Sequence, residues 1–181
     1  MQTRVEILKK TSLFGGLDAA VLELLALRIK ERVLERNELL FIAGEPADGL
    51  YVIAKGSVRA FRSGADGREQ VIHVEKAVTT IAEVPVFDEG SYPSTVAAEE
   101  PSVLYFITAA DIRSISASHP ELALAAARLL AARLRQCAEL VESLSLREVG
   151  QRIAKLMLDE AVAHGLGADG SATFAQKLTH N

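Results

Sequence analysis

Between residues 39 and 108 the chain is cut into short β-rich pieces, each closed by turn residues, and this pattern limits the fold more than any other. "ELLFIAG", "LYVIAKG", "SVRAFRSG", "EQVIHVE", "STVAAEE" and "SVLYFIT" follow one another at the spacing of an all-β barrel or jelly roll. The run "SGADG" at 63–67 reads as a hairpin loop, because Gly64 and Gly67 accept positive φ without steric cost. The expected fold class is therefore a mainly β jelly-roll barrel, with helices before and after it.

The flanks carry helical periodicity. "LDAAVLELLALRIKERVL" has Asp18 as N-cap and sets Val21, Leu24, Leu25 and Ile29 on one face. "TAAD" is a variant capping box, with Thr108 as N-cap and Asp111 three residues on; its short helix runs to about Ser118. Pro120 suits the first turn of a long helix that continues to about Ser145. A further helix, "LREVGQRIAKLMLDEAVAH", stops at Gly165, a good C′ residue. The Gly-rich tail that follows is weakly strand-like. In the long helix Ala127, Leu130, Leu134, Cys137, Val141 and Leu144 are spaced 3, 4, 3, 4, 3, an a/d heptad seam. Leu129 and Leu140 lie off that seam, so one face can cover the barrel while the seam meets a second copy. A parallel homodimer is expected.

Charge and cysteine content narrow the setting. The net charge is −4 over 181 residues, so the chain has no basic excess of the kind a nucleic-acid-binding domain carries. Cys137 is the sole cysteine, which rules out an intramolecular disulfide, a four-cysteine zinc site and a cysteine-ligated iron–sulfur cluster. The N-terminus has no apolar signal-peptide core and no run reaches the length of a membrane span, so a cytoplasmic protein without a membrane partner is expected.

The segment "TIAEVPVFDEGSYPSTVAA" at 80–98 has the look of a loop for a small anionic ligand, yet contains no Lys or Arg. Together with "LFGGLDAAVLELLA" and "GEPADGLYVIAKGSVRAFR", in which Gly44, Gly49 and Gly56 punctuate the strands, it resembles the sensor domain of Crp/Fnr-type transcription regulators. The resemblance runs almost without gaps over about 13–181. It implies a cyclic-nucleotide-binding-like barrel over 1–118, a dimerisation helix over 119–146, and over 147–181 the start of a truncated winged helix-turn-helix domain. The recognition helix would follow "KLTHN", so the chain reads as the sensor and dimerisation fragment of a longer regulator that meets DNA and RNA polymerase.

In cyclic-AMP-binding members this segment is a phosphate cassette. A Gly-Glu pair opens it, with the Glu accepting the ribose hydroxyl, and an Arg followed by a small hydroxyl residue closes it on the cyclic phosphate. Here the opening reads Ala82, Glu83, Val84 and the close Pro93, Ser94, Thr95. Pro93 supplies neither a cation nor an N–H. The Thr-Ser pair that contacts adenine falls at Cys137 and Ala138, a poor donor and no donor at all. Cyclic AMP is thus not expected in the usual mode, unless Arg59 or Arg62 of the neighbouring strand compensates. By strand alternation those two face opposite sides.

Three other readings stay open. Haem is the first, with His73 and Cys137 as candidate axial ligands. "AEV" at 82–84 is similar to nitric-oxide-responsive members, but Ser91 and Pro93 stand at the His and Cys positions of carbon-monoxide-sensing ones. A plainer account makes His73 a strand residue and Cys137 a small seam residue. The second is a cyclic-nucleotide module of a kinase or channel, which shares the barrel but not the helices after it. The third is a cupin-like metalloenzyme, which needs two or three His around one metal; of His73, His119, His164 and His180, only His73 lies in the barrel segment. No enzyme is expected. Arg147, Arg152 and Lys155 precede the expected DNA-binding domain, but i,i+4 pairing on a solvated face accounts for them better.

Overall fold

Strand β3 (Gly49–Lys55, "GLYVIAK") is apolar at almost every position, and a strand can be so only if both of its faces are covered. The computed structural model describes residues 2–64 and 67–146 and, beyond them, only Ala154, 157–159 and Ala161. In it β3 lies inside a sheet with β1 (Lys30–Leu34), β8 (Ser102–Thr108) and β6 (Thr80–Ile81), in the order β1-β8-β3-β6. A second sheet, β2-β7-β4-β5, is made of β2 (Leu39–Phe41), β7 (Thr95–Ala98), β4 (Ser57–Ser63) and β5 (Glu69–Lys76). Every pairing is antiparallel. The jelly-roll expectation is met.

Alternation divides the apolar residues between two cores. Tyr51, Ile53 and Leu104 of the first sheet meet Phe41, Val58, Ala60, Val96 and Ala98 of the second. Leu50, Val52, Tyr105 and Ile107 point the other way, into a core closed by helices. Those helices are α1 (Gln2–Lys10), α2 (Ala19–Arg28), α4 (Ala109–Ser118) and the start of α5 (Pro120–Leu146). Helices, sheet and sheet thus form three layers.

Glycine is required at two joints. Gly56, between β3 and β4, has φ +85°, and a Cβ there would lie 2.3 Å from Ser102 Oγ. Gly49 lets β3 approach β8 so closely that a Cβ would meet the Ile107 carbonyl at 2.2 Å. In the β4–β5 hairpin Gly67 takes φ +76°.

The helix expected to run through "IKERVL" ends at Arg28, with Ile29 extended, because Lys30–Leu34 pairs with β8 along its whole length. Tertiary pairing overrides a helix-compatible composition there. On α2 the buried stripe is Val21, Leu22, Leu25 and Ala26; Leu24 stands at its margin, 38% exposed. Asp18 is the N-cap by backbone geometry, without a side-chain hydrogen bond. The N-terminal helix α1 was not foreseen. By contrast, Thr108 caps α4 as read: its Oγ1 accepts from Asp111 N–H at 3.0 Å and donates to Asp111 Oδ2 at 2.6 Å.

The chain divides into two compact units, 1–131 and 132–181. Within the first, Leu122 and Ala126 of α5 are buried and Ala125 and Leu129 pack on the helical core. Of the heptad residues, Ala127 is exposed and Leu130 half-buried. In the second unit Leu134, Cys137 and Val141 are exposed, as is Leu140 off the seam. The side chain of Leu144, and Arg147, Arg152, Lys155, His164, His180 and the tail, lie outside the described residues; of the helix read over 146–164, the described residues Ala154, 157–159 and Ala161 are helical.

Candidate functional site

The segment 80–98 is anchored at both ends. Thr80 and Ile81 pair with Val52 and Tyr51 of β3, and β7 pairs with both β2 and β4. Between them the chain is not a plain loop, as the sequence suggested, but carries a short helix, α3 (Glu83–Asp88). Ala82 enters it in the left-handed region, φ 63° and ψ 31°, and Glu89 leaves it at φ 57°. For a residue with a Cβ that region costs about 1–2 kcal/mol. Ala82 therefore adopts a shape that glycine takes freely, and β6 and α3 hold it there.

Glu83 is buried, 1% exposed, and its Oε1 accepts a hydrogen bond from Thr80 Oγ1. Val84 turns outward, whereas Pro85 and Val86 are buried. The far end of α3 is fastened to α4: Arg113 Nη1 lies 3.4 Å from the Val86 carbonyl and 3.8 Å from Glu89 Oε1. Asp88 Oδ1 accepts from Gly90 N–H at 2.9 Å.

The descending limb is tied to the loop before β3. Gly44 N–H donates to the Tyr92 carbonyl and Tyr92 N–H to the Glu45 carbonyl, each at 2.9 Å. Tyr92 turns its ring inward and stacks on Phe41 at 3.8 Å between centroids. Burial, with Tyr51 beside it, holds its hydroxyl well above the usual phenol range. Pro93 is exposed, Ser94 is buried, and Thr95 Oγ1 accepts from Ala43 N–H at 3.1 Å.

The two arginines of β4 separate as alternation requires. Arg59 lies over the Phe61 ring on the outer face, with Nη1 3.0 Å from Asn37 Oδ1 and 3.2 Å from Glu99 Oε2. Glu69 adds a second carboxylate at 3.9 Å. Those acids neutralise it away from the cassette. Arg62 is in phase with Val58 and Ala60, which line the core between the sheets, and its Nη2 donates to the Pro93 carbonyl. So the cassette itself carries no cation, but a guanidinium from the next strand rests on its closing residue.

His73 is not gathered here: it is half exposed on edge strand β5, with Nε2 4.0 Å from Glu75 Oε1. Cys137 and Ala138 are exposed on the part of α5 that belongs to the second unit. Among the described residues no group of three or more His, Cys, Asp or Glu could hold a metal ion, and no helix is long and apolar enough to cross a membrane. Sequence reading missed Thr80 and Tyr92. A hydroxyl three residues before Glu83 was a usable signal for the first; nothing in the sequence showed that Tyr92 would turn inward.

The family profile described as "Cyclic nucleotide-binding domain" matches residues 31–119. A CRP-like cAMP-activated global transcriptional regulator of Mycobacterium tuberculosis is 28% identical over 174 residues, covering 96% of this chain and 78% of that protein. The N-terminal domain of a transcriptional regulator from Streptomyces coelicolor is 31% identical, with a TM-score of 0.65, over 78% of this chain and 99% of that one. The catabolite activator protein of Thermus thermophilus is 28% identical, with a TM-score of 0.69, over 87% of this chain and 73% of that one.

Proposed function

The chain belongs to the cyclic nucleotide-binding domain family and is homologous to CRP-like transcription regulators, and we propose that it is the sensor and dimerisation portion of such a regulator, with a pocket that does not hold cyclic AMP in the usual mode. Residues 1–118 act as the sensor barrel, 119–146 as the dimerisation helix, and 147–181 begin the DNA-binding domain. In this reading the full regulator is a cytoplasmic homodimer that meets DNA and RNA polymerase, and it is not an enzyme. The three relatives named above support the last point, since their names are those of regulators; two lysophospholipases of Aspergillus also match, over 7–8% of their length.

The observation that carries the reading on the pocket is Pro93. The position that closes the cassette is exposed and has neither a positive charge nor an N–H. Breaking a buried ion pair by removing one partner costs about 3–5 kcal/mol, a loss of about 100-fold or more in affinity. Glu83 places a carboxyl in the same segment, and a cyclic phosphate brings a second negative group. The exposed apolar residues Leu134 and Val141 support the dimer, because a solvated heptad seam is matched best by another copy of itself.

Titration calorimetry with cyclic AMP and cyclic GMP tests the pocket. The expected dissociation constants are in the high micromolar range or weaker; low-micromolar binding of either nucleotide would overturn the reading.

A further inference from the structure

An open cavity of about 430 Å³ lies beside the cassette but is not lined by Ala82, Glu83, Pro93 or Ser94. Its apolar wall includes Phe41, Tyr51 and Tyr92, and its charged rim is Arg32, Glu45 and Asp48. Its size is that of a small-ligand site. Arg32 belongs to edge strand β1, opposite Leu104, and is in phase with Leu34, which is buried between the sheets. A charge therefore stands at a strand position that would otherwise face the core.

The charges of the rim are not spent on one another. Arg32 and Asp48 line one cavity, yet among the described residues neither side chain has a hydrogen bond or an ion pair. Glu45 uses Oε2 to accept Ile42 N–H at 2.9 Å, which leaves its other oxygen. A plain anion at Arg32 would face two carboxylates, and a plain cation at Asp48 would leave Arg32 uncompensated. A molecule that carries both charges satisfies both sides. The edges of the aromatic wall suit an apolar body. We infer that this cavity is a binding site for a zwitterionic ligand, a free α-amino acid with an aromatic side chain, whose carboxylate meets Arg32 and whose ammonium meets Asp48. Because Tyr92 precedes Pro93 in the chain, a ligand here would touch the limb that closes the cassette. The inference does not depend on what the cassette binds.

The test uses the 181-residue chain with L-phenylalanine as probe, followed by saturation-transfer NMR and calorimetry. Phenethylamine, phenylacetate and N-acetyl-L-phenylalanine amide serve as the cation-only, anion-only and uncharged controls. L-Phenylalanine is expected to bind with a dissociation constant of about 1 mM or below, and each control about tenfold more weakly or worse. Arg32→Met should weaken L-phenylalanine about tenfold without changing phenethylamine, and Asp48→Asn should weaken both. Both side chains are exposed, so circular dichroism should show both variants folded. Equal binding of the uncharged control would overturn the inference, leaving an apolar mouth. No binding of L-phenylalanine at about 10 mM would also overturn it, and would make Arg32 an inward charge that guards an edge strand against pairing.

Discussion

Replacing Pro93 by Arg asks whether the cassette has lost its grip or its shape. Pro93 is exposed while Glu83 and Ser94 are buried, so a guanidinium at 93 would sit on the boundary between water and the interior. Exposed ion pairs contribute about 0.2–1 kcal/mol and disrupted buried ones cost about 3–5 kcal/mol. A boundary position lies between, at about 1.5–3 kcal/mol, which is about a 10- to 150-fold gain in affinity for a cyclic nucleotide phosphate. Arg62, already on the carbonyl of residue 93, has two opposing effects. It repels a second guanidinium in the free protein and joins it around a phosphate in the complex. Pro93→Arg should therefore melt slightly lower than wild type and regain stability when the nucleotide is added. Calorimetry with cyclic AMP at low and high salt reads the gain, which salt should diminish. Under the proposed reading recovery is incomplete, because Cys137 and Ala138 stand where the resemblance expects the base-contacting pair. The reasoning fails if the variant folds with an unchanged circular dichroism spectrum and gains less than about threefold for both cyclic AMP and cyclic GMP; the cassette would then have been rebuilt beyond its closing residue.

Three further outcomes are expected. Leu134→Glu places charge in the exposed heptad seam and should turn dimers into monomers in sedimentation equilibrium; a wild type already monomeric at micromolar concentration would refute the dimer. Thr108→Ala removes the N-cap of α4 and should cost about 1 kcal/mol in urea unfolding, with Thr108→Ser recovering most of it; a change below about 0.3 kcal/mol would mean that water replaces the cap. The Tyr92 hydroxyl ionises near pH 10 in the unfolded chain but well above that when folded, so its contribution is intact below pH 10 and is lost as pH rises beyond it. Tyr92→Phe should therefore lose less stability than wild type between pH 9 and 11, while the part due to Tyr105, also raised by burial, persists; parallel losses in the two proteins would show that Tyr92 is not protected.

The limb that links the cassette to the helices shows where sequence reading stops. Arg113 joins α3 to α4 through the Val86 carbonyl and Glu89, across 24 positions of chain in the second case. No local pattern announces such a contact. The stretch "IKERVL" fails for a related reason: its residues are compatible with a helix, and the unpaired edge of β8 makes it a strand.

What the sequence determined by itself was local and periodic. Period two with turn residues dictated the strands, and a capping box placed the start of α4. Both follow from neighbours a few positions apart, where sterics and alternation act directly. Only the tertiary structure decided which of Arg59 and Arg62 lies against the 80–98 segment. Arg59 is drawn off by Glu69 and Glu99, while Arg62 rests on Pro93. It also decided that Tyr92 fills the space beside Phe41, and that Arg32 and Asp48 share one cavity although 15 residues lie between them. Alternation tells that two side chains face opposite ways, but not which way is in; that is settled when the two sheets close on each other.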